Sequence, residues 1–296
     1  MCATWVLLMI ALLAPRPIII TRRSLAPLAE ATAACVARLG EAEVLDLDHE
    51  HVDAKELASR IEVTSPPIII AVGPSALKLA LDGAGRTPIV FTMISSPADH
   101  FTGLPNNVVG VQLNPDPTVV LRTLHRIAPR THRVLSLYDP ARSLHLVEDT
   151  VKAAEALHLE LWAIRTPDRA AVARTLVGPP SDFDAILLIL DLTVLYPEAV
   201  AALLRLGAAR NIPVVGLSWE HCSEGALLSV VSSPADLGDQ AARMAQAVRA
   251  GKQQARVSWP SRLKVLVNPA VAQRMRIELP DRIEGIPVER CILEGH

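Results

Sequence analysis

The chain has 296 residues, half of them hydrophobic and a fifth charged, with a formal net charge of −2. That length is long for one α/β sheet and comfortable for two lobes, and so large an apolar share argues against a disordered chain. Both charge signs are spread along the sequence and aromatic residues make up only 3%, so no basic, aromatic-laced surface for a nucleic-acid partner is expected.

Residues 4–13 (TWVLLMIALL) form an apolar run too short to span a bilayer in comfort. The run resembles the h-region of a secretory signal, with Ala14 before Pro15 as a cleavage site, so residues 1–14 are read as a signal segment. It lacks a Lys/Arg n-region, which leaves open a start upstream of Met1. A buried first strand or helix of a cytoplasmic protein is the alternative.

Residues 17–21 (PIIIT) read as a strand, followed by Arg22-Arg23-Ser24 and a helix that Gly40 stops. Residues 43–48 (EVLDLD) alternate like a half-buried strand, and a helix follows near residues 54–61. Residues 67–73 (PIIIAVG) are apolar throughout, the pattern of a strand covered on both faces. The turn Gly73-Pro74-Ser75 opens a helix over residues 76–81, with Pro74 in its tolerated first turn. The strand over residues 89–94 completes β-α-β-α-β-α-β, a parallel doubly wound lobe.

Residues 87–117 are the pivot. A Ser/Pro/Asn/Gly-rich loop leads to a strand over residues 108–113, then to the stiff break Asn114-Pro115-Asp116-Pro117, where Asn114 or Asp116 can cap the next helix. The second half repeats the rhythm. Strands are expected over residues 133–138, 159–164, 184–190, 213–217, 225–231 and 264–268, with helices between them, the longest over residues 234–249. The tail after Pro280 is polar and carries no pattern. The fold expected is α/β, two doubly wound parallel-sheet lobes with a hinge. Residues 16–113 plus part of the C-terminal segment (about 251–296) form the first lobe and residues 114–250 the second.

Open α/β sheets bind ligands beyond the carboxyl ends of their strands. The polar residues falling there are Ser24, Ser75, Thr92, Ser95, Ser96, Tyr138, Arg142, Ser143, Asp191, Thr193, Trp219 and Glu220, and they are the candidate ligand-binding set. Hydroxyls and helix N-termini can hold a carboxylate. Asp191 or Glu220 can pair with an amino group, and Trp219 or Tyr138 can stack on a flat or apolar side chain. The mix suits a small zwitterion better than a phosphorylated metabolite. Each position also has a structural reading: Ser75, Ser143 and Thr193 as helix caps, Asp139-Pro140 as a turn, Trp219 as packing.

No GxGxxG follows a strand, and neither GxxxxGK[ST] nor GxSxG occurs, so no dinucleotide, ATP or nucleophile-elbow site is expected; no catalytic residue, cofactor or metal is assigned. His49 and His51 fall in a polar linker. The four cysteines, Cys2, Cys35, Cys222 and Cys291, are scattered, and no disulfide framework can be read from them; Cys35 is expected in the core and Cys222 buried. In Glu220-His221-Cys222 adjacent side chains do not converge, so a thiol nucleophile is not favoured.

The ordered blocks TPIVFTMISSP, NNVVGVQL, LRTLHRIAPRTHRVLSLYDPARS and NIPVVGLSWEHCSEGALLSV resemble the ABC transporter substrate-binding family of the periplasmic binding protein type I fold. The closing ADLGDQAARMAQAVRAGK and LKVLVNPAVAQRMRIELP are similar to that family's C-terminal signature. The resemblance implies a periplasmic receptor, not an enzyme. Such a receptor closes by hinge motion on a small solute, an amino acid or similar small carboxylate, and hands it to an ABC transporter permease. It implies a monomer and carries the family's cleft positions onto the segments Gly73–Ser75, Thr92–Ser96, Tyr138–Ser143, Asp191–Thr193 and Ser218–Glu220. A ligand-sensing regulatory domain of the same fold is the alternative.

Overall fold

The computed structural model describes residues 15–291; the signal segment expected over residues 1–14 lies outside them. The chain forms two compact α/β units. The first holds residues up to Ile94, Leu104–Leu113 and Ser233–Pro260; the second holds Ser95–Gly103, Asn114–Ser232 and residues from Ser261 onward.

The first unit is built on β1 (Ile18–Thr21), β2 (Glu43–Asp46), β3 (Ile69–Val72), β4 (Ile89–Thr92), β5 (Val108–Val111) and β11 (Val257–Ser258), in sheet order β11-β5-β4-β3-β1-β2. Every pairing in it is parallel. Strands β1, β3 and β4 are buried along their whole length, as continuous β-branched runs require when both faces are covered. Helices α1 (Ala26–Leu39), α2 (Ala54–Thr64) and α3 (Pro74–Gly83) connect these strands. One core cluster joins Ile19, Ile70, Val90 and Val111 to Ala31 and Cys35 of α1 and to Leu237, Ala241 and Ala245 of α10 (Pro234–Arg249).

Helix α10 was expected in the second lobe, and the structure corrects this. Its buried face carries Gly238 and three alanines beside Leu237 and Met244, and it approaches α1 closely at the glycine: a Cβ at Gly238 would collide with the Ala31 carbonyl oxygen. The Cys35 thiol donates to the Gly238 carbonyl at 3.1 Å. Cys35 is the core residue expected, and burial pushes its thiol up to about 12.

The second unit carries β6 (Arg133–Tyr138), β7 (Glu160–Arg165), β8 (Ala185–Leu187), β9 (Val214–Gly216), β10 (Leu228–Val231), β12 (Lys264–Val267), β13 (Arg282–Ile283) and β14 (Ile286–Arg290), in order β13-β14-β12-β10-β9-β8-β6-β7. Strands β6 to β10 are parallel, whereas β12 runs antiparallel to β10 and β13 antiparallel to β14. So this sheet is mixed at one end. The residues after Ser261, expected partly in the first lobe, extend the second sheet because β12 pairs β10 and β14 pairs β12. Helices α4 (Pro97–His100), α5 (Pro117–Ile127), α6 (Pro140–Ala156), α7 (Arg169–Val177), α8 (Pro197–Arg210), α9 (Trp219–Glu224) and α11 (Pro269–Arg274) complete the unit. One core cluster gathers Val134, Leu146 and Val267, the other Leu135, Val172 and Leu203.

A disulfide links Cys222 on α9 to Cys291, with Cα atoms 6.1 Å apart. No pairing was readable from cysteine spacing, because the bond joins positions 69 residues apart. It also removes the thiol from the Glu220-His221-Cys222 triplet.

Candidate ligand-binding site

Both sheets are doubly wound and each has a switch point, where successive crossovers change direction. In the first it lies between β1 and β3, in the second between β6 and β8. Loops leaving the carboxyl ends of those strands flank a crevice within their own unit.

In the first unit, the loop after β1 is fastened to that after β2. Arg22 pairs with Asp48 at 3.2 Å, and the Arg23 guanidinium donates to Asp46 at 2.8 Å. Ser24 is exposed, and its amide donates to Asp48 at 2.8 Å. The Ser24 amide and hydroxyl together hold the Asp48 carboxyl below its ordinary value. Across the switch point, Ser75 is exposed in the first turn of α3, a helix whose N-terminus no side chain caps. Thr92, at the end of β4, accepts the Gly73 N–H through its carbonyl at 2.9 Å, while its buried hydroxyl has no partner.

Ser95 and Ser96 do not stay with the first unit. Met93 takes a left-handed conformation (φ 61°) immediately after β4, and Ser95–Gly103 belongs to the second unit. That excursion is fixed by Asp99, which receives the His145 amide and ring Nδ1, both at 2.8 Å, and the Leu146 amide at 3.3 Å. Helix α6 is kinked at Ser143 (φ −137°, ψ 19°), so Asp99 caps its continuation from a distant part of the chain. Ser95 is half-buried and Ser96 buried, and the Ser95 carbonyl accepts Asn114 Nδ2 at 2.9 Å.

At the second switch point two buried carboxylates lock the loops after β6 and β8 together. Asp191 accepts the Asp139 amide at 2.7 Å, the Thr193 amide at 2.8 Å and the Ser143 hydroxyl. Asp139 in turn accepts the Thr193 hydroxyl at 2.8 Å and the Ala141 amide at 2.9 Å. Asp191, Thr193 and Ser143 are therefore brought together, but by each other. Arg142 projects from this knot, exposed, with its Nε 3.6 Å from Asp139. Tyr138 is not in the loop set: its side chain is buried in the core cluster with Val134 and Leu146.

Beyond β9 the chain turns into α9. Trp219 (43% exposed) and Glu220 stand in its first turn, open to solvent. Ser218 caps the helix by accepting the His221 amide, and the Ser218 hydroxyl also holds the Glu220 carboxyl below its ordinary value. An apolar cavity of about 50 Å³ lies by the ends of β8 and β9, lined by Val120, Leu146, Leu188, Ile189 and Leu217, with Asn114 and Thr150 as polar members.

Sequence reasoning missed Asp99, and it left Asp139 and Ser218 out of the ligand-binding set although both fall in the strand-end segments. The last two carried a signal, since Asp before Pro and Ser before a short polar helix are N-cap patterns. Asp99 carried none, because its partners are 46 and 47 residues away. Among the described residues no group of three or more His, Cys, Asp or Glu is placed to hold a metal ion, and no helix is long and apolar enough to cross a membrane.

The model of the ABC transporter substrate binding protein family matches residues 44–290. The ligand-free, open structure of a substrate-binding protein with adhesive properties from Clostridium difficile is similar in fold, with a TM-score of 0.71 at 16% identity, covering 93% of this chain and 98% of that one. An ABC domain in complex with L-Trp from Streptococcus pneumonia superposes with a TM-score of 0.59 at 18% identity, covering 90% and 96%. A sugar transporter subunit from Rhodobacter sphaeroides does so at 0.54 and 15% identity, covering 85% and 98%. A comparison with curated protein sequences gives no match. Two doubly wound units and a family match over most of the chain lead to one assignment: the protein belongs to the ABC transporter substrate-binding protein family.

Proposed function

We propose that the protein is the extracytoplasmic receptor of an ABC importer and binds an amino acid or similar small carboxylate by hinge closure of its two units. The observation that carries the ligand class is the pair Trp219–Glu220. Most of the other charged groups at the strand ends are buried or tied into ion pairs and hydrogen-bond knots, whereas Glu220, held by the Ser218 hydroxyl, and its neighbour Trp219 are exposed on a capped helical turn. Glu220 is ionised and suited to an ammonium group, and Trp219 offers a face for an apolar or aromatic portion. On the first unit, Ser75 and the uncapped N-terminus of α3 are suited to the carboxylate. The L-Trp complex of the streptococcal neighbour is in keeping with this chemistry. The Cys222–Cys291 disulfide supports an oxidising compartment, and with it a periplasmic location for a monomeric receptor serving a permease.

The test is a thermal-unfolding screen of residues 16–296 against amino acids and small carboxylates. A ligand at about 100-fold its Kd adds about 2.7 kcal/mol, which for a chain of this size raises Tm by about 5–10 °C. Glu220→Gln is expected to weaken binding of that ligand by roughly 10–100-fold, the worth of one charge-assisted hydrogen bond. Full affinity in that variant would remove Glu220 from the site.

A further inference from the structure

The turn that carries Trp219 and Glu220 is held by a reciprocal pair of hydrogen bonds with histidine in an unusual place. Ser218 Oγ accepts the His221 amide at 3.3 Å, and His221 Nδ1 accepts the Leu217 amide at 3.2 Å. The arrangement is related to a capping box, with two differences: the side chain that reaches back is an imidazole where Glu or Gln would ordinarily stand, and it accepts the amide of Leu217, one residue before the cap Ser218, not that of the cap itself. Two more contacts pin the turn: Ser229 Oγ donates to the Ser218 carbonyl at 3.0 Å, and a Cβ at Gly216 would lie 2.7 Å from His221 Cβ. The base of the His221 side chain is thus packed on Gly216, the last residue of β9.

A glutamate accepts in its charged form; an imidazole accepts at Nδ1 only when that nitrogen is unprotonated. We propose that His221 is the positioning residue of the 218–220 turn, holding Trp219 and Glu220 in place while neutral and releasing the Leu217 amide when protonated. The functional side of this inference rests on the ligand reading above; the structural side does not.

The groups facing His221 across its groove are Glu220 and Glu224 of its own helix, Arg205 of α8 and Arg274 of α11. Burial pushes the imidazole below its ordinary value of 6.5, with Glu224 and Glu220 opposing. The folded value lies below the unfolded one, so the contribution is complete above about pH 6.5 and is lost as pH falls through the folded value.

The experiment is an NMR titration of the ligand-free protein with ¹⁵N-labelled histidine, leucine and tryptophan. At pH 7.5 His221 should be the Nε2–H tautomer. On acidification the Leu217 amide and the Trp219 indole should move together in one step, at the pH where His221 titrates. His221→Asn, whose side-chain oxygen takes the place of Nδ1 without titrating, should keep the neutral-pH positions of both signals and lose the step; His221→Ala should lose those positions at every pH. An Nδ1–H tautomer, or an acid step that survives in His221→Asn, overturns the proposal. A Leu217 step in a protein whose Trp219 signal ignores every amino acid of the screen upholds the positioning role and removes the ligand assignment.

Discussion

Asp191 shows how far a residue's type can mislead about its task. At the carboxyl end of β8 it reads as a partner for a ligand's amino group. In the structure it is 2% exposed and accepts from two amides and a hydroxyl of its own unit. Replacing it with alanine strands two buried donors, the Asp139 amide and the Ser143 hydroxyl, and the part-buried Thr193 amide. Each unsatisfied buried group costs about 1–3 kcal/mol, some of it recovered by water. Asp191→Ala is therefore expected to lose about 2–4 kcal/mol of stability, measured by urea unfolding without ligand. Unchanged stability would show that the knot between the loops after β6 and β8 is dispensable. Glu220 sits near in sequence type but differs in circumstance, since its carboxylate faces solvent.

Element by element, the sequence was most readable where burial leaves one pattern. The runs that became β1, β3 and β4 are apolar without interruption, and each is buried from end to end. Two features escaped for physical reasons. Strand β11 has two residues, fewer than any periodicity can mark. The hairpin β13–β14 takes its place by pairing with β12, and half-buried residues such as Pro287 and Glu289 give no alternation. The polar strand ends were legible, but not which of them are engaged by partners within the fold. The disulfide belongs to this scale too, because it ties α9 to the residue after β14. Closing a loop between positions 69 apart stabilises by about 4 kcal/mol on the chain-entropy estimate, and measured values run about 2–4. Cys222→Ala with Cys291→Ala should show a loss of that size in urea unfolding, and reductant should reproduce it in the unaltered chain. A reductant-insensitive transition would mean the bond contributes nothing.

At the scale of the molecule, the chain builds its first unit in instalments. Residues up to Leu113 supply five strands, but among the described residues five of the fourteen buried in that unit's cluster around Ile19 and Val90, from Leu237 to Ala245, arrive on α10. Among the described residues no other helix packs on α1 to a comparable extent, and α10 is buried along Leu237, Gly238, Ala241 and Ala242. Without α10 the apolar side of a parallel sheet stands in water, at about 25 cal/mol for each Å² left uncovered, and a parallel sheet is stable only with both faces covered. A fragment of residues 15–113 is therefore expected to lack cooperative unfolding by far-UV circular dichroism. The same fragment joined through a flexible linker to residues 233–260 should recover it, because that segment brings α10 and the β11 edge strand that pairs with β5. Cooperative unfolding of the short fragment alone would show that α1, α2 and α3 suffice to close the core. The late return of α10 would then serve to connect the units and not to complete the first one.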